Sequence, residues 1–124
     1  MQNKKQLVEE ASDYYLGQNG REKSNCAQAV ANTFVKELHL QGIDLDAFRN
    51  YGGGRAPGGE CGALYAAKAV LEESGLSEKA GELEAIFQKQ AGALTCREIR
   101  SARKLPCAGC VEKAATFLCD CMKE

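Results

Sequence analysis

The sequence predicts an all-α protein, a compact bundle of about five to seven helices in a single domain over residues 1–124. Apolar residues recur three and four positions apart in nearly every patterned segment, which is the period of an α-helix. No run of β-branched residues alternates with polar ones, so the sequence does not support a sheet. A length of 124 residues with 44% hydrophobic residues suits one domain with its own core.

The first two predicted helices show this pattern most clearly. Residues 3–16 place Leu7 and Ala11 on one face, and the glycines that follow end the segment. Residues 25–38 repeat apolar side chains every four positions, beginning at Cys26. Both segments therefore predict helices that bury one side against a core.

The other predicted helices are shorter or less regular. The segment 60–74 is rich in glycine and alanine, which lets a second backbone approach closely. A further helix opens at Ser77 and carries Leu83 and Phe87 on one face, and Pro106 begins the last helix. In all, five helices are predicted after the first two, over residues 44–50, about 60–74, 77 to 91, 95 to about 104, and 106 to about 123.

Charge and hydropathy narrow the classes of function. Sixteen basic and seventeen acidic side chains give a net charge of -1, which argues against a nucleic-acid binder that works by bulk charge. No apolar segment of signal-peptide length follows Met1, and no apolar run approaches the ~18 residues of a membrane span. We therefore expect a cytoplasmic protein that neither binds nucleic acid nor inserts into a membrane, with its thiols kept reduced.

Cysteine is the unusual component, with seven in 124 residues beside a single histidine. One histidine cannot form a histidine-rich metal site, and His39 is expected at a helix end, in contact with the dipole there. An odd cysteine count in a reducing compartment argues against a fixed disulfide framework. Metal or cluster ligands, transient redox thiols and plain buried cysteines remain as interpretations.

Four cysteines are predicted at helix starts. Asn25-Cys-Ala-Gln28 and Thr95-Cys-Arg-Glu98 both have the form of a capping box, which places Cys26 and Cys96 at the first helical position. Cys61 follows a glycine-rich loop, and Cys107 follows a proline. The unpaired N–H groups and positive dipole end of a helix stabilise a thiolate, so we expect lowered pKa values at these positions. Positive charge follows Cys96 at Arg97, Arg100, Arg103 and Lys104, and Arg55 could act in the same way on Cys61.

The last helix begins with a CxxC motif. Cys107 and Cys110 share one helix face, so their sulfurs could form a disulfide or bind one metal ion, although the pair alone is only half of a zinc site. Cys121 lies on the same apolar stripe and is predicted to belong to the core. Cys119 falls off that stripe and is predicted to be exposed, without an assigned role.

The loop over residues 52–59 does not fit a nucleotide-binding motif. It lacks the lysine and the serine or threonine of a Walker loop, and no predicted strand precedes it. We expect it instead to bring backbone close to sulfur or to donate N–H groups there. The candidate binding glycines in and after this loop are Gly53, Gly54, Gly58, Gly59 and Gly62.

Three stretches together resemble a known family. They are Asn25-Cys26-Ala-Gln-Ala-Val30, the glycine run before Glu60-Cys61-Gly62-Ala63-Leu64, and Phe87 followed by Cys96 and Cys110. From about Tyr14 to Ala115 the chain resembles the C_GCAxxG_C_C family of redox-active proteins. Two departures stand out: the second cysteine lies between Glu60 and Gly62 where the family name reads Gly-Cys-Ala, and Ala66 or Ala67 replaces a later glycine.

The resemblance implies a small helical protein with Cys26, Cys61, Cys96 and Cys110 as its signature cysteines. It also implies thiol/disulfide or electron-transfer chemistry. A related helical module occurs in some cytochromes that also carry an iron–sulfur centre.

The first hypothesis is a cytoplasmic redox-active protein, which could be a thiol-dependent oxidoreductase that needs no cofactor. Cys26 and Cys61 would attack as thiolates, Cys96 and Cys110 would resolve the product or form a second pair, and the sequence does not name the redox partner. The alternative is a binding module in which Cys26, Cys61, Cys96, Cys107 and Cys110 supply ligands to zinc or an iron–sulfur cluster. A helical interaction protein with incidental cysteines is the third hypothesis. These patterns do not specify an oligomeric state.

Overall fold

The computed structural model describes residues 3–122, which form six α-helices and three short 3-10 segments. The α-helices are α1 (Lys4–Leu16), α2 (Cys26–Leu38), α3 (Gly62–Glu73), α4 (Ala80–Gln90), α5 (Cys96–Ala102) and α6 (Cys107–Met122). The 3-10 segments are Leu45–Asn50, Pro57–Gly59 and Ser77–Lys79. The described residues contain no strand beyond an isolated antiparallel bridge between Glu60 and Thr95. The all-α prediction is confirmed.

Several predicted helix limits differ from the observed ones. The segment predicted over 44–50 is a 3-10 turn, and the helix predicted from about residue 60 begins at Gly62 because Cys61 is still extended. The segment opening at Ser77 is first a 3-10 turn and becomes α-helical at Ala80. The predicted end of the last helix, about Lys123, lies outside the described residues.

Side-chain caps fix the starts of α2 and α5. The Asn25 carboxamide oxygen accepts a hydrogen bond from the Gln28 N–H at 2.7 Å, and the Gln28 side chain accepts one from the Asn25 N–H at 3.1 Å. This is the predicted capping box. At α5 the Thr95 hydroxyl accepts from the Glu98 N–H at 3.3 Å, but the Glu98 carboxylate accepts from the Thr95 hydroxyl rather than from its backbone. The second capping box is therefore only half formed.

The centre of the bundle is built from α2, α3 and α6. α6 packs against α1, α2 and α3, α2 also packs against α1 and α3, and α4 covers α3. Alanines allow the close approach that the sequence predicted for α3, since Ala63, Ala66 and Ala67 are fully buried. The largest buried side chains, which fill the space between the helices, are Phe34, Phe87, Leu7, Leu64, Leu71, Leu83 and Leu118.

The buried face of α6 differs from the predicted stripe. Cys119, predicted to be exposed, is only 3% exposed and belongs to the core, whereas Cys121, predicted to be core, is partly exposed and packs at its edge. The prediction was wrong because α6 is covered on two sides, by α1 and by α2 with α3. This widens its buried face to include Ala115 and Cys119.

His39 was predicted to lie at a helix end. His39 ends α2 in the left-handed conformation, with φ of 54°, and its N–H bonds to the Val35 carbonyl. The predicted helix-end position is confirmed, and the dipole contact stays a prediction.

Within residues 3–122 no helix is both long enough and apolar enough to cross a bilayer.

The two asparagine caps allow a matched test of how α2 is held. Asn25 also donates from its amide nitrogen to the carbonyls of Phe48 and Arg49, each at 3.1 Å, whereas Asn3 caps α1 at an exposed site without such a tether. We expect Asn25→Ala to lower the free energy of unfolding by about 2–3 kcal/mol and Asn3→Ala by about 1 kcal/mol. Urea unfolding of both variants measures this, and equal losses would show that the tether contributes nothing.

Candidate functional site

Five of the seven cysteines line one cavity of about 640 Å³. They reach it from four helix starts: Cys26, Cys96 and Cys107 are the first residues of α2, α5 and α6, Cys61 is the residue before α3, and Cys110 lies one turn into α6. The structure thus brings together all five sulfurs named as candidate redox or ligand groups. All seven cysteines are in the thiol form. Cys119 and Cys121 are not part of the cavity lining.

Burial separates these sulfurs into two kinds. Cys26, Cys61, Cys96 and Cys110 are at most 8% exposed. Cys107 is partly exposed, and it is the cavity sulfur most open to solvent. A reagent that enters from solvent therefore meets Cys107 before the others.

Three of the buried thiols are near enough to shift one another's pKa values. Cys61 interacts with Cys26 on one side and with Cys110 on the other. The interaction with Cys61, together with burial, raises the pKa of Cys26. The interaction with Cys110, together with burial, raises the pKa of Cys61 to about 12, although Cys26 acts in the opposite direction. At neutral pH these two sulfurs are protonated.

The expected lowering of thiol pKa values at the helix starts is therefore wrong for Cys26, Cys61 and Cys96. Nearby N–H groups of the first turns act in the expected direction on Cys26 and Cys61, but burial and neighbouring thiols outweigh them. Burial also raises the pKa of Cys96, against the partial opposition of the Arg100 guanidinium. Loss of solvent disfavours the charged form more than a helix end favours it.

Cys107 has polar neighbours instead. Its thiol interacts with the guanidinium of Arg100 and with the hydroxyl of Tyr15. The interaction raises the pKa of Arg100. Burial, followed by the charge and hydrogen bond of Cys107, raises the pKa of Tyr15 to about 12. Tyr15 stays protonated at neutral pH and can donate to the sulfur, while Arg100 supplies a positive charge beside it.

Gly62 creates the space in which α2 and α3 meet. A Cβ atom on Gly62 would lie 2.7 Å from the Cys26 sulfur and 2.7 Å from the Tyr51 carbonyl oxygen. Both distances are too short for a real contact, so only glycine lets the Cys26 sulfur approach the first turn of α3. The expectation that glycine brings backbone close to sulfur was made for the loop over residues 52–59, whereas Gly62 lies after it as the first residue of α3, so for the loop it stays a prediction.

The loop glycines line a second cavity of about 660 Å³ beside the first. Gly53, Gly54, Gly58 and Gly59 form one wall of it, and α5 forms the other. Both cavities share Gly53, Cys96 and Arg100, so the two spaces meet at the start of α5. The binding role of these four glycines and of Gly62 stays a prediction.

The comparison with protein families agrees with the arrangement of cysteines. A family model described as "Putative redox-active protein (C_GCAxxG_C_C)" matches residues 24–121. The chain belongs to the C_GCAxxG_C_C family. No curated protein and no solved structure matches the chain.

One departure of this family member from the signature has a structural role. Glu60, where the family name has glycine, pairs with Lys68 of α3 at 2.8 Å, and Lys68 also pairs with Glu84 of α4 at 2.9 Å. The Cys61 N–H bonds to the Leu94 carbonyl at 2.9 Å. The chain on either side of the peptide bond between Glu60 and Cys61 is thus held to α3, to α4 and to the segment before α5.

The cavity contains further residues that sequence analysis did not identify as functional. They are Tyr15 of α1 and Lys23 in the loop between α1 and α2. Neither carries a local motif, because each reaches the cavity through the packing of its segment. The positive charge predicted after Cys96 is present in part, since Arg100 and Arg103 line the cavity, whereas Arg97 and Lys104 do not.

The placement of the cysteines also tests whether they could bind a metal ion or an iron–sulfur cluster. Among residues 3–122, no group of three or more histidine, cysteine, aspartate or glutamate side chains is arranged to hold a metal ion. Cys61 interacts with Cys26 and Cys110, whereas Cys107 interacts with Tyr15 and Arg100. A tetrahedral four-sulfur site would require these two groups to close on each other. The present arrangement does not fit a metal ion or an iron–sulfur cluster.

Gly62 and Gly81 form a matched pair for testing the contact between α2 and α3. Both are helical glycines, but a Cβ on Gly81 would meet nothing within 4 Å. We expect Gly62→Ala to cost about 2 kcal/mol of stability and to make Cys26 react faster with a thiol reagent. Gly81→Ala should stabilise by roughly 0.5–1 kcal/mol. Thermal unfolding and mass-mapped alkylation measure both effects, and an unperturbed Gly62→Ala protein would refute the packing role.

Proposed function

We propose that this family member is a cytoplasmic thiol redox protein whose cavity cysteines pass between dithiol and disulfide states. The observation that supports it most directly is that Cys61 lines one cavity with Cys26 and Cys110 and interacts with both. Thiols that already lie near one another need little movement to form a bond. A reducing compartment such as the cytoplasm would return them to thiols.

The chemistry requires an oxidised partner. When two thiols form a disulfide they lose two electrons and two protons, and the partner disulfide that accepts them becomes two thiols. Because Cys26 and Cys61 are protonated at neutral pH, neither is suited to begin the exchange as an activated thiolate. Cys61 can instead join a disulfide to Cys26 or to Cys110 once an exposed thiol has reacted.

Controlled oxidation tests this function. Reduced protein is treated with hydroxyethyl disulfide, and the products are mapped as peptides. We expect an intramolecular disulfide among Cys26, Cys61, Cys96 and Cys110, with Cys61 joined to Cys26 or Cys110. Cys61→Ser should remove that bond, whereas Cys121→Ser, outside the cavity lining, should leave it in place. If all four signature cysteines remain thiols in folded protein, the proposal fails.

A metal module is the second candidate, and the presence of five sulfurs at one cavity favours it. Cys26, Cys61, Cys96, Cys107 and Cys110 would be the candidate ligands of zinc or an iron–sulfur cluster, after the two sulfur groups had closed on each other. A set of four cysteines suits either group.

Metal analysis of anaerobically purified protein separates the two candidates. The thiol redox function predicts a colourless, metal-free protein whose circular dichroism is helical. Stoichiometric zinc, or iron with visible absorption, would instead favour the module. Purification of the Cys61→Ser variant in parallel is the control, because it should lower the content of a bound metal but not of a contaminating one.

A further inference from the structure

The walls of the cysteine cavity carry positive charge and no negative charge. Lys23 lies before α2, and Arg100 and Arg103 lie on and just after α5. No aspartate or glutamate is among the lining residues. Within residues 3–122 none of these three cations pairs with a carboxylate. In a chain with a net charge of -1, this local excess attracts an anion.

The size and remaining lining of the cavity suit a small molecule. Its volume of about 640 Å³ falls within the ~300–1,000 Å³ of small-ligand sites. Leu16, Ile99 and Leu105 supply an apolar wall beside the charged groups. Such a site can hold an organic anion with an apolar middle.

Cys107 is placed to react with a molecule in this cavity. It is the partly exposed cysteine of the cavity, and Arg100 and Tyr15 line the same cavity and interact with it. Cys110 is buried one helical turn further on, where it lines the same cavity and interacts with Cys61. An accessible thiol and a buried one at CxxC spacing can attack and resolve in turn.

We propose that the cavity binds a small disulfide bearing carboxylate groups, and that the Cys107–Cys110 pair reduces it. The proposal rests on the thiol redox function proposed above, and it adds the class of substrate and the attacking thiol. The cations of the cavity hold the carboxylates, and the central sulfurs of the substrate lie against Cys107.

The reaction proceeds in two exchange steps. Cys107, having lost its proton, attacks one substrate sulfur; a bond forms between them, the substrate S–S bond breaks, and one half leaves as a thiolate. Cys110 then loses its proton and attacks the Cys107 sulfur, which releases the second half. The substrate gains two electrons and two protons to become two thiols, and the pair loses the same to become a disulfide. Arg100 and Tyr15 line the cavity beside Cys107 while it attacks.

The substrate class is tested by comparing three disulfides of different charge. Reduced protein is mixed with glutathione disulfide, which is anionic, with neutral hydroxyethyl disulfide, or with cationic cystamine. Each rate is divided by the rate with which dithiothreitol reduces the same compound, which removes differences in intrinsic reactivity. We expect glutathione disulfide to exceed cystamine by at least about tenfold at low salt, with the difference shrinking as salt is added.

Two sets of variants test which cations bind the substrate and which thiol attacks it. Replacing Lys23 and Arg103 together by glutamine should lower the ratio of glutathione disulfide rate to hydroxyethyl disulfide rate by about tenfold. Arg97→Gln, on α5 but outside this cavity, is the matched control and should leave the ratio unchanged. Cys110→Ser should accumulate a glutathione adduct on Cys107, and Cys107→Ser should prevent it.

The outcomes distinguish the proposed substrate class and attacking thiol from the thiol redox function on which they rest. Equal normalised rates for the three disulfides would overturn the substrate class, while disulfide formation with all of them would still support thiol redox function. An adduct of Cys110→Ser on a cysteine other than Cys107 would overturn the attacking thiol. If no disulfide oxidises the wild-type protein, both proposals fail. The comparison on wild-type protein decides the substrate class even if a variant does not fold.

Discussion

The contact between the first turns of α2 and α3 is the constraint on which the rest of the site depends. Gly62 leaves space for the Cys26 sulfur, and a single methyl group there would collide with that sulfur and with the Tyr51 carbonyl. Asn25 fixes the same place from the other side, because it caps α2 and holds the 3-10 segment of Leu45–Asn50 through two carbonyls. This close approach places the Cys26 sulfur at the first turn of α3, next to the residue that follows Cys61.

Once α2 and α3 are joined in this way, the cavity contains two chemical environments. Around Cys61 the neighbours are thiols and the surroundings are buried, so the sulfurs hold their protons. Around Cys107 the neighbours are a guanidinium and a phenol, and solvent has access. This division separates one partly exposed cysteine from a group of buried ones. Cys110 links the environments of Cys61 and Cys107, since it lies in the CxxC motif with Cys107 and interacts with Cys61.

Much of this arrangement follows from local sequence. The cap at Asn25 is a signal contained in four residues, and it correctly places Cys26 at a helix start. The glycine–alanine content of α3 likewise predicts its close packing. Which sulfurs become neighbours depends on how four helix starts are turned toward one another, and no local pattern encodes it. The pKa directions were mispredicted for the same reason: the helix start is a local property, whereas burial is a property of the assembled bundle.

The surroundings of Tyr15 and Cys119, near opposite ends of the chain, also could not be predicted from local sequence. Tyr15 is more than ninety positions from Cys107 in sequence, and its interaction with that thiol arises only because α1 packs on α6. Cys119 is buried because α6 is covered on two sides, which its helical period alone could not show.

The central claim is that the cavity cysteines form a reversible redox group, and a redox titration with thiol counting tests it most directly. The protein is equilibrated in buffers of increasing ratio of oxidised to reduced dithiothreitol, alkylated, and mapped by mass spectrometry. The account predicts that thiols disappear in pairs, that the lost thiols are among the five that line the cavity, and that reduction restores them. If all seven cysteines remain alkylatable as thiols at every ratio while the protein stays folded, the account is contradicted.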